Sequence, residues 1–595
     1  MKKQIFQLLV FLILSVNYTE AYTIPQFSDS RTDTLSEGQY REAIYLGTDR
    51  KLYFAGEKVW FKVYNYNPDN RCASGLSKVV FVELLDRSNN PVIQTSIEAD
   101  NASGSGSFTL PESMESGNYL LRAYTSWMLN YPPELFFYTT ISVINPFTGI
   151  DKLKAGPEPR GSDHKADGQG YNIPPEGMNA GSKDQGITIS TQSNYFSTRK
   201  KVRIDVSAHD REGKPLKANL YLSVCKSCLA DINENILTYK DPGEGYKADT
   251  AFAITHLPDI EGEIISGVIK STTTGETLKN KDISLSFVGK TSLCQFGKTN
   301  DRGEFKFIVK DIFGLKEMVI ELSDNSDDYY VELDPRYTNI FCENTLPDLY
   351  IDTSRINLLN QAIISKQVNS LYEAELNKNQ EIVNYPDPVD FFNKPARTIS
   401  MSDYIELKDV NEIIRELISE IRIEKRNEEY ILKVANSNPY EQFENASLVL
   451  VDGVPVYDIK SLLSSRASEI ERIEIVTSRY FYHDCIFEGI ISFITKTGGM
   501  DIFRLNNSVY RRIYEGCQVR NNFCSPDYSH PFPGEAHLPD FRNLLYWNPD
   551  LKTNAEGVSA CEFYTSDEPG DYTIVVEGIT EDGIRLFGTA GLTVK

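Results

Sequence analysis

Cysteine and histidine are the side chains best suited to chemistry in this sequence, and their spacing does not favour a catalytic or metal site. The nine cysteines lie at positions 72, 225, 228, 294, 342, 485, 517, 524 and 561, an odd number without a dense disulfide framework. Cys225 and Cys228 have the spacing of a redox or metal pair, but no second pair accompanies them. We therefore expect two structural thiols there. A local disulfide between Cys517 and Cys524 is plausible in an oxidising compartment.

The other candidates for chemistry are equally isolated. No two of the six histidines are four residues apart, and His530 and His537 follow Cys517 and Cys524 at distances that fit no standard zinc site. Ser105 lies between two glycines but lacks the strand-to-helix context of a nucleophile. We therefore expect no catalytic residue, no cofactor and no metal. An envelope hydrolase, as the third hypothesis, would need a pocket that gathers histidines or carboxylates from separate domains.

The amino terminus and the charge of the chain favour export. Lys2 and Lys3 precede an apolar run over residues 5–16, which predicts a signal peptide over residues 1–21. No later run predicts a transmembrane span. The formal net charge is -23, so we expect no nucleic-acid partner. The length of 595 residues predicts several domains.

The stretch TDRKLYFAGEKVWFKVYNYN predicts a turn followed by a strand. In it, Val59, Phe61 and Val63 alternate with larger side chains, and further strands follow between clusters of Asn, Gly, Ser and Pro. Together with SGNYLLRAYTSWMLN, the stretch resembles the macroglobulin-like β-sandwich domain of alpha-macroglobulins and of many secreted proteins of Bacteroidetes-type bacteria. We assign this domain to residues 38–147.

Two more sandwiches are predicted beyond a linker. Residues 148–186 are rich in Gly, Pro and charge and predict the linker. The alternation of Val202, Ile204 and Val206 predicts a second macroglobulin-like sandwich over residues 187–258. In residues 259–345, SGVIKSTTTGETL and TNDRGEFKF resemble the carboxypeptidase regulatory-like domain, which implies an accessory β-sandwich without catalysis.

Residues 346–420 predict a helical connector. Apolar residues recur at three-to-four spacings over residues 355–378, and Val410, Ile413 and Ile414 form one stripe of a second helix over residues 407–419.

Residues 421–500 resemble the plug domain of TonB-dependent outer-membrane receptors. The resemblance rests on the order of a VDGVP turn, the strand IERIEIV and the segment FEGIISFITKTGG. The usual Tyr-Gly-Ser before the last plug strand is replaced by Tyr-His-Asp-Cys, which puts any gating behaviour in doubt. The resemblance implies a partner-binding role for the turn and its strands, and the candidate residues are Val451, Asp452, Gly453, Val454, Pro455, Tyr482, Phe487 and Gly489.

The last segment, residues 501–595, is too short for the many spanning strands of a receptor barrel, so we expect a plug fold without a barrel. Its stretch WNPDLKTNAEGVSACEFYTSDEPGDYTIVVEGIT resembles a macroglobulin-type β segment. We expect a C-terminal sandwich here, which strands from elsewhere in the chain could complete.

The predicted fold is mainly β and multi-domain, with immunoglobulin- or macroglobulin-like β-sandwiches and one α+β plug-like domain. The Cys-Gly-Glu-Gln thioester sequence of alpha-macroglobulins is absent. We expect a non-catalytic scaffold or binding protein, located in the periplasm or at the outer membrane. Its expected partners are outer-membrane or envelope proteins, a barrel among them. The alternative is a secreted glycan- or surface-binding adhesin in which Trp60, Tyr64, Tyr66 and Trp127 stack on sugars, unless these rings are core and edge residues.

Overall fold

The computed structural model describes residues 41–147, 154–155, 186–230, 254–323, 326–342, 346–351, 353–376, 389–426, 429–438, 440–529 and 538–595. Within these ranges the chain is mainly β, and its sheets build three β-sandwiches and one α+β domain, which confirms the predicted fold class. The predicted signal peptide lies outside the described residues, as does nearly all of the predicted linker.

The first sandwich contains eight strands in two sheets. The strands are β1 (Ala43–Thr48), β2 (Leu52–Phe54), β3 (Lys58–Tyr66), β4 (Val79–Leu85), β5 (Pro91–Glu98), β6 (Ser103–Thr109), β7 (Gly117–Tyr124) and β8 (Phe137–Ile144). The sheet orders are β1-β3-β6 and β2-β8-β7-β4-β5. Val59, Phe61 and Val63 are buried in the core, as their alternation predicts.

The chain then supplies part of a second sandwich and all but one strand of a third. The second begins with β10 (Gly186–Thr191), β11 (Tyr195–Phe196), β12 (Lys201–His209) and β13 (Ala218–Lys226), which follow the short β9 (Lys154–Ala155) and precede α1 (Ser227–Ala230). The third contains β14 (Glu263–Lys270), β15 (Asp282–Phe287), β16 (Leu293–Lys298), β17 (Glu304–Val309), β18 (Leu315–Leu322) and β19 (Tyr330–Leu333).

The predicted helical connector contains one long helix. Strand β20 (Tyr350–Ile351) pairs with β9 in parallel, and α2 (Ile356–Leu376) follows it. Leu359 and Ile363 of α2 pack with Phe54 and Leu229 in a small core. Leu371, which the three-to-four spacing placed on the same stripe, is instead 76% exposed.

The α+β domain has a five-stranded sheet with two helices beside it. Its elements are β21 (Arg397–Ser400), α3 (Val410–Leu417), β22 (Ile421–Arg426), β23 (Glu429–Val434), β24 (Leu448–Val451), β25 (Val454–Pro455), α4 (Ile459–Leu463), β26 (Ile470–Tyr482) and β27 (Cys485–Thr495). The sheet order is β21-β26-β27-β24-β25, and β22 pairs only with β23 among the described strands. Helix α3 begins after Asp409, whose carboxylate accepts a hydrogen bond from the Glu412 backbone N–H at 2.9 Å. We call residues 389–505 the plug-like domain, a label that refers only to the sequence resemblance and not to an observed relationship.

The last strands complete the two sandwiches that began earlier in the chain. They are β28 (Tyr510–Glu515), β29 (Leu544–Lys552), β30 (Val558–Tyr564), β31 (Gly570–Thr580) and β32 (Arg585–Val594). Strand β28 joins the third sandwich in the order β16-β15-β18-β28, opposite the sheet β17-β14-β19. The second sandwich has the sheets β10-β12-β30 and β11-β32-β31-β13-β29.

Strands from the segments predicted as two separate sandwiches, residues 187–258 and 501–595, therefore build one sandwich, except for β28, which joins the third. Strand β13 lies between β29 and β31, more than 300 residues away along the chain. Alternation in sequence shows that a strand needs partners, but it does not show which strands they are.

Short 3-10 turns connect several of these elements. They span Trp127–Asn130, Pro133–Leu135, Thr353–Arg355, Met401–Asp403 and Ala467–Glu469. None of the helices in the described ranges combines the length and the apolar character that crossing a bilayer requires.

Candidate partner-binding site on the plug-like domain

The VDGVP turn joins β24 to β25, and all five of its residues are buried. Val451 and Val454 belong to the core of the plug-like domain. The buried Asp452 carboxylate accepts hydrogen bonds from the Thr495 backbone N–H at 2.7 Å, the Thr495 hydroxyl at 2.6 Å and the Met500 backbone N–H at 2.7 Å. The carboxylate therefore ties the turn to the end of β27.

The outer side of the same turn contacts the third sandwich. The Gly289 backbone N–H donates to the Asp452 carbonyl at 3.0 Å. Gly453 has a φ of +80°, and a Cβ there would lie 3.1 Å from the Thr291 carbonyl oxygen and 3.2 Å from that of Phe287. Another domain of the same chain therefore covers this turn in the structure, and its role in binding a partner stays a prediction.

Gly489 also has a structural role. Its φ is +83°, and an added Cβ would lie 2.7 Å from Cβ of Val434 and 3.1 Å from Oγ of Ser447. The buried glycine lets β27 pass close to β23, so it is not available to a partner.

The remaining two candidates lie on a projecting hairpin. Strands β26 and β27 continue past the ends of their neighbours β21 and β24 as a two-stranded hairpin. We call residues 479–488 the hairpin tip. Tyr482 and Cys485 close it, with His483 at a φ of +49° in the turn.

One face of the hairpin tip is anchored by aromatic rings. Phe487 lies with its ring centroid 4.7 Å from that of Phe296 in the third sandwich, and Tyr482 lies 5.9 Å from the same ring. The Tyr480 hydroxyl donates to the Phe391 carbonyl. Such edge and tilted contacts fix the hairpin against the third sandwich.

The opposite face of the hairpin tip carries two exposed apolar side chains. Phe481 and Ile486 are direct cross-strand partners, and they are 66% and 59% exposed. Sequence reasoning missed both residues, although the alternation along RYFYHDCIFEG places them on the face opposite Tyr482 and Phe487.

Charged groups hold the base of the hairpin tip. Arg479 pairs with Glu441 at 2.7 Å and with Glu488 at 3.1 Å. The Glu488 carboxylate also accepts hydrogen bonds from the backbone N–H groups of Asn445 and Glu444, and these contacts hold its pKa below the usual range. Phe481 and Ile486 therefore project from a fixed support.

The cysteines do not form a reactive or metal-binding arrangement in this structure. None of the nine cysteines, all of which lie in the described ranges, is in a disulfide, so the Cys517–Cys524 disulfide is not formed. Burial raises the pKa of the Cys225 thiol to about 12, which makes its thiolate scarce at neutral pH. No group of three His, Cys, Asp or Glu residues that could hold a metal occurs in the described ranges, and His530 and His537 lie outside them.

A cavity of about 340 Å³ lies between the first and third sandwiches and is lined by carboxylates. Glu261 there pairs with Lys310, and Glu263 pairs with Arg336 at 2.5 Å. Both carboxylates are already matched by cations, and none of the lining residues is a histidine. Glu98 and Asp311 also line the cavity, and burial, together with the charge of Asp311, raises the pKa of Glu98. The hydrolase hypothesis stays a prediction.

The aromatic residues of the adhesin hypothesis are buried. Trp60, Tyr64, Tyr66 and Trp127 are each at most 6% exposed. The carboxy-terminal segment covers the outer side of β3, where the Trp60 ring lies 5.6 Å from that of Phe523. These rings are core residues, and the prediction that they stack on sugars is wrong.

A comparison with protein families decides the nature of the first sandwich. Residues 43–132 match the MG2 domain. The first sandwich is a macroglobulin-like domain. No curated protein matches the chain. The resemblances assigned to residues 259–345 and 421–500 rest on the sequence motifs alone and stay predictions.

Solved structures similar to the chain include alpha-2-macroglobulins. A mutant of the Salmonella protein is 9% identical, covers 96% of this chain and 41% of its own, and has a TM-score of 0.23. The native Escherichia coli protein is 10% identical with coverages of 94% and 40% and a TM-score of 0.23. The Yersinia pseudotuberculosis adhesin InvE is 10% identical with coverages of 49% and 57% and a TM-score of 0.12. The chain spans about two fifths of the length of these alpha-2-macroglobulins.

Proposed function

We propose that the chain is a non-catalytic binding protein of the cell envelope, and that its hairpin tip contacts an outer-membrane or envelope protein. The observation that supports this proposal is the exposed cross-strand pair of Phe481 and Ile486. The predicted signal peptide and the plug-like sequence motifs favour the envelope as the location. The macroglobulin-like domain acts as a structural module in this proposal.

The geometry of the hairpin tip suits a small contact centred on apolar side chains. Burying a Phe or an Ile side chain fully is worth about 1.5–3 kcal/mol each. The aromatic anchor on the opposite face limits the conformational freedom lost on binding. The partner should therefore offer an apolar pocket into which Phe481 and Ile486 insert.

The double substitution Phe481→Ser and Ile486→Ser tests this role. We expect recovery of the partner to fall about tenfold or more, because most of the buried apolar area is lost. The free energy of unfolding should change by no more than about 0.5 kcal/mol per substitution, because both side chains are exposed. The measurement is fractionation of the native envelope with a tagged chain, mild crosslinking and mass spectrometry, alongside urea unfolding.

Leu315→Ser provides the matched control, because Leu315 is 71% exposed on the third sandwich, outside the hairpin tip. This variant should recover the same partner as the wild-type chain. Recovery of one outer-membrane protein by wild type and control but not by the double variant supports the proposal. Equal recovery by all three chains, or no envelope partner for any of them, contradicts it.

A further inference from the structure

The plug-like domain covers a polar face of the third sandwich. In β15, Ile283 and Leu285 point into the core of that sandwich, so the alternate residues Ser284 and Ser286 point outward. Glu321 of β18 lies directly opposite Ser284. All three polar residues are nevertheless buried. Val319, on the same outward face, packs into the core of the plug-like domain, so this domain is what covers the face.

The polar groups of this face are poorly matched. Glu321 is only 4% exposed, and its Oε1 has no hydrogen-bond partner among the described residues. The same holds for the hydroxyl oxygen of Ser286, whereas the Ser284 hydroxyl lies against the Tyr457 phenol. Burying a polar atom without a hydrogen-bond partner is unfavourable, so these atoms weaken the contact between the two domains.

Among the residues that the structure describes, no positive charge compensates for the burial of Glu321. The titratable groups that face it are the Cys294 thiol of β16 and the Tyr457 phenol of the plug-like domain, both of which have raised pKa values and stay neutral. Further along the same face, Glu317 and Arg511 pair with each other at 2.6 Å. Burial raises the pKa of Glu321 from its usual value of 4.5 to about 8.

Other contacts also hold the two domains together. The ring of Phe296 packs against Phe487 and Tyr482 of the hairpin tip, and the Tyr457 hydroxyl donates to Oγ of Ser323 at 3.1 Å. The loop over residues 288–292 adds polar contacts, in which the Ser292 backbone N–H donates to Asp390 at 2.6 Å and Lys290 pairs with Glu471. None of these contacts involves the Glu321 carboxyl.

We propose that the plug-like domain docks reversibly on the third sandwich, and that ionisation of the buried Glu321 carboxyl promotes its release. Release would expose Glu321 and the two serines to water. It would also uncover the VDGVP turn and the aromatic face of the hairpin tip. This inference concerns the contact inside the chain and does not depend on the proposed function of Phe481 and Ile486.

The direction of the pH effect follows from the raised pKa. Docking favours the protonated carboxyl, so it is strongest below about pH 4.5, where Glu321 is protonated in both states. As the pH rises from 4.5 to about 8, the released state gains stability. The equilibrium constant for docking should therefore fall by up to about tenfold per pH unit between pH 4.5 and about pH 8.

Cys294 provides a native reporter of release. Its thiol is 3% exposed and lies near Tyr457 and Tyr482 of the plug-like domain. Iodoacetamide labelling of Cys294 relative to the exposed Cys72, followed by mass spectrometry between pH 5 and pH 9, measures release while cancelling the pH dependence of thiol reactivity. Cys561, buried in the second sandwich, reports general unfolding.

We expect the Cys294 to Cys72 labelling ratio in the wild-type chain to rise at least tenfold between pH 5 and pH 8, with Cys561 protected throughout. In Glu321→Gln and in Glu321→Leu the ratio should not change with pH, because neither side chain ionises. Glu317→Gln, which changes a carboxylate that is already paired, should keep the wild-type slope. A wild-type ratio that does not change with pH, or the same slope in both Glu321 variants, would overturn the proposal.

Discussion

Replacing Arg122 by methionine is expected to lower the free energy of unfolding by about 3–5 kcal/mol. The side chains of Arg122 and Glu83 are both 0% exposed and pair at 2.6 Å across β7 and β4. Removing the guanidinium leaves the Glu83 carboxylate buried without its cation. Urea unfolding, followed by the fluorescence of Trp60 and Trp127 in the first sandwich, measures the loss.

The same guanidinium also ties the first sandwich to the end of the third. It donates to the Thr338 carbonyl at 2.6 Å and to the Ile340 carbonyl at 2.9 Å, and it stacks on the Phe341 ring at 4.4 Å. Without the guanidinium the segment over residues 338–341 is released, which adds to the expected loss of unfolding free energy. Limited proteolysis would detect this release as new cleavage after residue 333.

Arg87→Met is the control for Arg122→Met. Arg87 also pairs with a carboxylate, that of Asp348 at 2.6 Å, but its side chain is 51% exposed. This substitution should cost less than about 1 kcal/mol. The double variant Arg122→Met with Glu83→Leu should recover most of the lost stability, because no charge is left buried. Equal losses for Arg122→Met and Arg87→Met would contradict the assignment.

The second large effect is expected for Asp452→Ala, at about 4 kcal/mol of unfolding free energy. The substitution leaves the backbone N–H groups of Thr495 and Met500 buried without their acceptor. Asp458→Ala is the matched control, because the exposed Asp458 carboxylate caps α4 by accepting hydrogen bonds from the Ser461 backbone N–H at 3.1 Å and from the Ser461 hydroxyl. The control should cost about 1 kcal/mol.

Asp452→Ala also separates the two roles considered for the VDGVP turn. If the turn were a free partner-binding surface, the substitution would reduce partner recovery and leave urea unfolding unchanged. The structure predicts instead that the substitution lowers the free energy of unfolding, because the Asp452 carboxylate is 0% exposed inside the plug-like domain. Unchanged stability would show that the turn is not held as described.

Local patterns in the sequence predicted the strands well, because alternation depends on residues that are close along the chain. The run around Val59, Phe61 and Val63 became β3, and the run around Ile413 and Ile414 became α3. Helix α3 buries one face, so its period is visible in the sequence, whereas β3 alternates in residue type although both of its faces are buried.

The partners of those strands could not be predicted in the same way. Strand β13 pairs with β29 and β31, and β28 completes a sheet begun by β15. Such pairings depend on register and on contacts across the whole chain. For the same reason the carboxy-terminal segment that buries Trp60 was not foreseen, and the ring was open to interpretation as a sugar-binding residue.

The residues of the candidate site could be proposed from sequence only in part, because local patterns do not show which surfaces another domain covers. The motif drew attention to the segment that contains Tyr482 and Phe487, and it also favoured the turn around Asp452, which the third sandwich covers. Only the structure shows that Phe481 and Ile486 occupy the uncovered face of the hairpin tip.

The most direct test of the proposed function is site-specific photo-crosslinking in the native envelope. A photoreactive residue is placed at Phe481 or, as a control, at Tyr195, which is 60% exposed on the second sandwich. We predict that position 481 gives an adduct with one outer-membrane or envelope protein and that position 195 does not. No adduct from position 481, or the same adducts from both positions, would contradict a partner-binding role for the hairpin tip.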